Sequence, residues 1–257
     1  MTRASLYSIP PLSWAFSAIL LISVILLGSL SLSYANLIRS NDVEIINLYG
    51  QRTMSPERVK NLTEIYLGKA LHELDLMAIQ NSFLEYPLIR NAKATRHFPN
   101  TLDVYLYDVL PVAYIAIQSI MTLDDKATLL PLPDKGMLYN LPIITGVSTD
   151  LRSAEIGDLI PDETVQMLVN FLKIIRRNHQ HIYLDISEIS YDRRGIKLIS
   201  ATHSTTVLLG NEDDAIDNST ILSTFVADES DSGIISPYQY IDLRFKRQVI
   251  VKERNSR

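Results

Sequence analysis

Polar and apolar positions divide this chain into three unequal parts. From residue 4 to residue 38 there is no Asp, Glu, Lys or Arg, and residues 12–32 are apolar apart from scattered serines and one glycine. A bilayer core about 30 Å thick takes roughly 20 helical residues to cross, and a helix satisfies its own backbone inside lipid. The pattern predicts a transmembrane helix over residues 12–37 after a short tail, residues 1–11. Trp14 and Tyr34 fall near its ends, where amphipathic rings favour the headgroup zone. A cleaved signal peptide is the rival, since Ser33-Tyr34-Ala35 has the small-x-small form of a cleavage site. The apolar run exceeds the usual signal core of about 7–15 residues and only Arg3 precedes it, so a retained anchor is expected. Arg3 on one side and Arg39 and Arg52 on the other leave the basic bias nearly flat, and charge does not orient the helix.

Beyond residue 40 the pattern becomes that of a folded domain. Residues 43–49 are β-rich and end at Gly50, a turn signal. Ser55 then caps a helix with Pro56 at its first position, where the missing N–H costs nothing. Val59, Leu62, Tyr66 and Ala70 recur at helical spacing and form a stripe expected in the core. A second helix follows Asp75, with Leu76, Ile79 and Phe83 on one face, and Pro87 stops it. Residues 92–96 and 101–107 read as strands; in the second, Leu102, Val104 and Leu106 alternate with Asp103, Tyr105 and Tyr107. Phe98-Pro99-Asn100 is the turn between them, with Phe98 expected to plug the core beneath it rather than to present an exposed tip. The order strand, helix, helix, strand, strand over residues 40–110 predicts a compact α+β layer.

Pro111 marks a boundary, and residues 111–252 are richer in strands. Strands are expected at 112–117, 141–146, 182–186, 196–200 and 205–209, with a hairpin turn at 123–126. Residues 162–177 carry the stripe Val165, Leu168, Leu172 and Ile175, with Arg176 and Arg177 placed to complement a helix dipole. Residues 211–231 read as an acidic, polar stretch with a short apolar helical patch at Ile221, Leu222 and Phe225. Residues 238–252 read as one long strand. Ile241, Leu243, Phe245, Val249 and Val251 share one face; Tyr240, Asp242, Arg244, Lys246 and Gln248 share the other. The expected fold class is α+β: one transmembrane helix, a βααββ domain, and a mixed, mostly antiparallel β domain with one long helix.

Composition narrows the chemistry. Only one of the 24 Lys and Arg residues precedes residue 39, which leaves 23 basic against 29 acidic side chains beyond it, a formal −6. No basic stripe suggests nucleic acid. With no cysteine there is no disulfide, thiolate nucleophile or thiolate-bound metal. His179-Gln180-His181 could offer two imidazoles, but without an obvious third ligand it reads as a solvated turn. Asp228-Glu229-Ser230-Asp231-Ser232-Gly233 resembles the start of a calcium loop, yet Gln239 stands where the bidentate Glu belongs, so a flexible acidic loop is expected. His72, His97 and His203 are isolated. Hydrolase, zincin and phosphate-loop signatures are absent from the sequence. No catalytic residue, cofactor, metal or small-molecule substrate is therefore assigned.

One set of residues carries a family likeness. Tyr86-Pro87-Leu88-Ile89-Arg90-Asn91-Ala92, then Arg96-His97-Phe98-Pro99-Asn100-Thr101-Leu102-Asp103-Val104, then Pro111-Val112-Ala113, resembles the FtsQ/DivIB family of bacterial division proteins. Leu141-Pro142-Ile143-Ile144-Thr145-Gly146 and Tyr240-Ile241-Asp242-Leu243-Arg244-Phe245 agree in the same order. Phe98 stands where Trp is common, Asn100 for Asp, Asp108 for Glu and Leu110 for a basic residue, which marks a divergent member. The resemblance implies a POTRA domain over residues 40–110 and a bitopic inner-membrane protein with its N-terminus in the cytoplasm. It further implies a non-enzymatic scaffold of the divisome at the septum. Such a scaffold would bind a coiled-coil FtsB/FtsL-type complex and help control septal peptidoglycan synthesis. Rival classes are an anchored cell-envelope hydrolase and a POTRA-bearing export component.

The long C-terminal strand suggests how a partner would be held. A strand on a sheet edge leaves unpaired N–H and C=O groups and can accept another strand, with alternate side chains giving specificity. Tyr240, Asp242, Arg244, Phe245 and Gln248 are the candidate partner-binding residues. Whether residues 205–209 or 238–252 form the open edge is left undecided by the sequence.

Overall fold

The computed structural model describes residues 11–39, 41–117, 119–134, 138–147, 154–229 and 238–254. The calcium-loop candidate lies largely outside them. Pro11–Arg39 forms one helix, α1, and its segment Trp14–Tyr34 is long and apolar enough to cross a membrane. The hydroxyls of Ser23 and Ser29 donate to the carbonyls of Leu20 and Leu26 at 2.8 Å each, which satisfies two of its few polar groups internally.

The first domain comprises β1 (Ile45–Tyr49), α2 (Pro56–Glu64), α3 (Leu76–Leu84), β2 (Ile89–His97) and β3 (Thr101–Asp108). Its sheet has the order β1-β3-β2, with β1 parallel to β3 and β2 antiparallel to it. Ser55 caps α2 by accepting from Arg58 N at 3.2 Å, and Asp75 caps α3 by accepting from Met77 N and Ala78 N. Met54, Leu71, Ile79, Phe83, Leu88, Leu102 and Val104 are fully buried between sheet and helices.

Two expectations fail here. The Val59–Ala70 stripe is not one helix: α2 ends at Glu64, Gly68 takes φ +73°, and Leu71–Glu73 form a 3-10 turn. Val59, Leu62 and Tyr66 only half-bury against the core. Phe98 is not a core plug; it is 55% exposed. The β2–β3 register closes at His97↔Thr101, so residues 98–100 project past the layer. The backbone of Asn100, not the Phe98 ring, is what engages the domain, accepting from Glu44 N at 3.0 Å.

The second domain holds β4 (Ala113–Ala116), β5 (Ile120–Leu123), β6 (Leu129–Leu130), β7 (Ile143–Thr145), α4 (Glu163–Asn178), α5 (Gln180–Asp185), β8 (Ile186–Asp192), β9 (Gly195–Ser200), β10 (Thr206–Gly210), α6 (Glu212–Glu229), β11 (Tyr238–Asp242) and β12 (Ile250–Glu253). All its described strands join one sheet in the order β12-β11-β10-β9-β8-β7-β4-β5-β6. The sheet is mixed and mostly antiparallel. Of its three parallel pairs, β7/β8 and β10/β11 are connected through α4–α5 and α6, and β4/β7 through the β5 and β6 strands, since parallel strands need a long crossover. Asp162 caps α4, accepting from Val165 N at 3.1 Å. The stripe Val165, Leu168, Leu172, Ile175 is buried as its spacing predicts.

Three further readings are corrected. Residues 182–185 are helical, and the strand begins at Ile186; Asp185 ends α5 by accepting from Ser200 Oγ at 2.8 Å and Thr202 N at 3.0 Å. The acidic stretch from 211 is a second long helix, α6, whose Ala215, Leu222 and Val226 are buried. Its opening Glu212, Asp213 and Asp214 complement the dipole. Residues 238–252 are not one strand but a hairpin, β11 returning as β12.

The two domains are joined at the β6 end. Leu130 is buried within the core of the first domain. Asp134 lies 2.8 Å from Arg58 Nε and accepts from Ser55 N at 3.3 Å. Burial, then a hydrogen bond with Asp134, pushes the Tyr86 hydroxyl up to about 12. The connecting segment is pinned as well: Arg176 donates to Pro111 O at 2.9 Å and Tyr183 Oη donates to Val112 O at 2.7 Å.

Candidate functional site

The far end of the large sheet is where backbone is left open. β12 pairs with β11 through Tyr240↔Lys252, Ile241↔Val251 and Asp242↔Ile250, and no described strand lies on its other side. β10 is enclosed between β9 and β11, so the edge belongs to the C-terminal hairpin. Lys252 and Glu253 on β12 and Arg254 just after it are exposed, and edge charges of this kind discourage indiscriminate strand pairing. Arg254 donates to His203 O and ties the end of the strand to the β9–β10 turn.

The hairpin turn is built by a carboxylate–guanidinium clamp. Asp242, nearly buried at the end of β11, accepts from Arg244 N at 3.1 Å, Arg244 Nε at 2.8 Å and Arg244 Nη2 at 2.6 Å. The Arg244 hydrogen bonds hold the Asp242 carboxyl below its ordinary range, and the same contact raises the Arg244 guanidinium. The Arg244 guanidinium also lies 5.9 Å from the centre of the Phe245 ring. Arg247 takes φ +61°, and Gln248 N donates to Phe245 O at 3.1 Å, which completes the reversal. The turn contains neither Gly nor Pro, which is why the pattern reads as continuous strand.

A close backbone contact sets the floor under this turn. A Cβ at Gly195 would stand 2.0 Å from Gly210 O, and Gly210 has the Arg244 side chain against it. Both glycines have positive φ, a conformation that non-glycine residues adopt only with strain. The β8–β9 turn, the end of β10 and the hairpin clamp therefore stack as one rigid unit.

The five sequence-selected residues are distributed unevenly over this unit. Asp242, Arg244 and Phe245 are brought together in the turn. Phe245 is 51% exposed, although the alternation puts it on the same face as the buried Ile241 and Leu243. Gln248 is exposed on the returning arm. Tyr240 sits on β11, one strand inside the edge, between Thr206 and Lys252. The strand that any added partner would lie beside is Ile250–Glu253, which sequence reasoning did not select. Its signal is faint: Lys246-Arg247-Gln248 interrupts an otherwise β-favouring run.

Other candidates have structural partners. His179 Nε2 is 3.2 Å from Thr220 Oγ1 and His181 Nε2 is 3.2 Å from Ser223 Oγ, both on α6. Burial, then the neighbouring His181, lowers the His179 pKa. An interdomain cleft of about 440 Å³ is lined by Arg90, Asp125, Lys173 and Arg176. Arg90 and Lys173 share Asp125 at 3.0 and 3.9 Å, and Arg176 is spent on Pro111 O.

Comparison with known proteins agrees with both domains. Residues 41–107 match the POTRA domain of FtsQ type, and residues 110–252 match the family described as FtsQ/DivIB, C-terminal related. The cell division protein FtsQ of Syntrophotalea carbinolica is 26% identical over 214 residues, covering 82% of this chain and 73% of its own length. That of Geotalea daltonii is also 26% identical, over 82% of this chain and 75% of its own. The cell division protein DivIB of Clostridium acetobutylicum is 21% identical over 80% of each. The chain belongs to the FtsQ/DivIB family of cell division proteins.

Proposed function

From that membership, we propose that this chain is a single-pass inner-membrane scaffold of the divisome, with its N-terminus cytoplasmic and its POTRA and sheet domains outside. It acts at the division septum without catalysing a reaction. The sheet domain captures a strand from an FtsB/FtsL-type membrane complex and thereby helps control septal peptidoglycan synthesis. The observation that carries this reading is the outer side of β12, on which no described strand lies, displayed by a hairpin whose turn is fixed by Asp242 and Arg244. Main-chain groups on that side supply affinity, and Phe245, Gln248 and Val251 supply side chains at its margin. Tyr240 acts through Lys252 on the adjoining strand rather than by touching the partner.

The test uses the full chain co-reconstituted with an FtsB/FtsL-type complex. Val251→Asp, Phe245→Ala and a truncation after Gln248 are compared with the parent, and each fold is checked by circular dichroism. Loss of partner binding by about tenfold or more in the truncation and in Val251→Asp, with folding retained, supports strand addition. Equal binding by all four proteins moves the partner site to another surface.

A further inference from the structure

The short segment that follows α1 is gripped from both sides by turns of the POTRA domain, and both turns display apolar side chains. Leu71 N donates to Asn41 O, Val43 N to Lys69 O and Gly68 N to Val43 O, each at 2.9 Å. On the other side Glu44 N donates to Asn100 O at 3.0 Å, and Asn100 Nδ2 donates to Glu44 Oε2. Residues 41–45 thus run between the 65–70 turn and the 98–100 turn. Ile65 and Leu67 are 56% and 47% exposed on the first, and Phe98 is 55% exposed on the second. The folded core uses none of these three.

Connectivity fixes how far this rim can stand from the anchor. Trp14–Tyr34 has 21 residues, about 31 Å of helix, which matches the hydrocarbon core. From Tyr34 to Arg39 the chain is still helical, about 8 Å, and two more residues add at most about 7 Å. The headgroup layer takes up about 5–8 Å of that length on each side. Asn41 therefore lies close to the membrane surface, with the 65–70 turn held beside it and the 98–100 turn held to the same segment three residues on, through Glu44.

Resting on the reading of α1 as a membrane anchor, we propose that Ile65, Leu67 and Phe98 form a lipid-facing rim seated in the boundary between headgroups and acyl chains. The contact is apolar rather than electrostatic, because the basic Arg39, Lys60 and Lys69 around the segment are matched by Asp42, Glu44 and Glu64, with Glu64 4.0 Å from Lys60. Tyr66, half-buried with the Lys69 ammonium 5.6 Å from its ring centre, provides an amphipathic shoulder to the rim. The rim makes the POTRA domain a second attachment point and limits its swing about the anchor.

The absence of cysteine allows single-site labelling of the full chain. Leu67→Cys, Phe98→Cys, Leu21→Cys in α1 and Arg194→Cys in the β8–β9 turn are each labelled with an environment-sensitive fluorophore. They are reconstituted in phosphatidylethanolamine–phosphatidylglycerol vesicles, with nitroxide quenchers placed just below the headgroup or near the midplane. The shallow quencher is expected to remove most of the fluorescence at positions 67 and 98, with little change at high salt, and to leave position 194 bright. Position 21 reports the anchor separately, through the midplane quencher. Quenching at 21 with bright labels at 67 and 98 overturns the rim while leaving the anchor standing. A bright label at 21 overturns the anchor reading, and the rim with it. Equal quenching at 67, 98 and 194 overturns a rim-specific contact. Because the vesicles contain no other protein, labels at 67 and 98 that darken only after an FtsB/FtsL-type complex is added assign the rim to a protein contact and overturn the proposal.

Discussion

The two ends of the nine-stranded sheet are both formed by short strands, yet they are treated in opposite ways. β6 places Leu130 in the core of the POTRA domain, and the chain after it is fastened by Asp134 to Ser55 and Arg58. β12 carries Lys252 and Glu253 into solvent and meets no described strand on its outer side. An edge strand can be sealed by covering it or protected by charge. This protein does the first at the domain junction and the second at the hairpin. Covering makes one end a structural joint; charge leaves the other available to a strand of suitable sequence.

Four substitutions probe that contrast. The largest effect is expected at the closed end, where Leu130→Ala removes a fully packed side chain from the other domain's core. It should destabilise the full chain by about 2–4 kcal/mol in urea unfolding. A loss below about 1 kcal/mol would mean that the domains are not packed through β6. Gly195→Ala tests the floor of the open end: its new Cβ meets Gly210 O and the backbone has φ +97°. A cost of about 2–3 kcal/mol is expected in the same measurement, together with weaker partner binding as the hairpin shifts.

Arg244→Ala leaves the nearly buried Asp242 without its main partner. Since Arg244 is itself partly exposed, the cost should be moderate, about 1 kcal/mol. The folded Asp242 carboxyl lies below its unfolded range, so its contribution is present above the ordinary carboxylate pKa and lost as pH falls through the folded value. Protection factors at residues 245–248, taken relative to the slower intrinsic exchange in acid, should therefore fall on acidification in the parent, and the fall should be much reduced in Arg244→Ala. The smallest stability effect is expected for Val251→Lys on the open edge, within about 0.5 kcal/mol. Its expected signature is loss of partner binding without loss of folding, the reverse of Leu130→Ala.

Much of the architecture was legible because local physics and tertiary packing agree. The uncharged run to Ile38, the cap Ser55, the helix start after Asp75, the alternation at Leu102–Val104–Leu106 and the stripe Val165–Leu168–Leu172–Ile175 all read as the structure has them. α6 was obscured because its core contacts, Ala215, Leu222 and Val226, are spaced among acids and hydroxyls that individually favour loops. The hairpin was obscured because Arg247, rather than a glycine, supplies its left-handed position.

What the sequence determined by itself is whatever depends on neighbours along the chain: the apolar helix, the helix caps, the strand alternation and the family likeness. What only the tertiary structure decided is which groups remain open. Phe98 and Phe245 look like core residues by pattern and are exposed, because the chain reverses beside each before an opposing layer can cover it. Edge and interior strands can carry the same alternation of apolar and polar positions. Their difference lies in whether another strand arrives from elsewhere in the chain, and β12 is open because none of the described strands does.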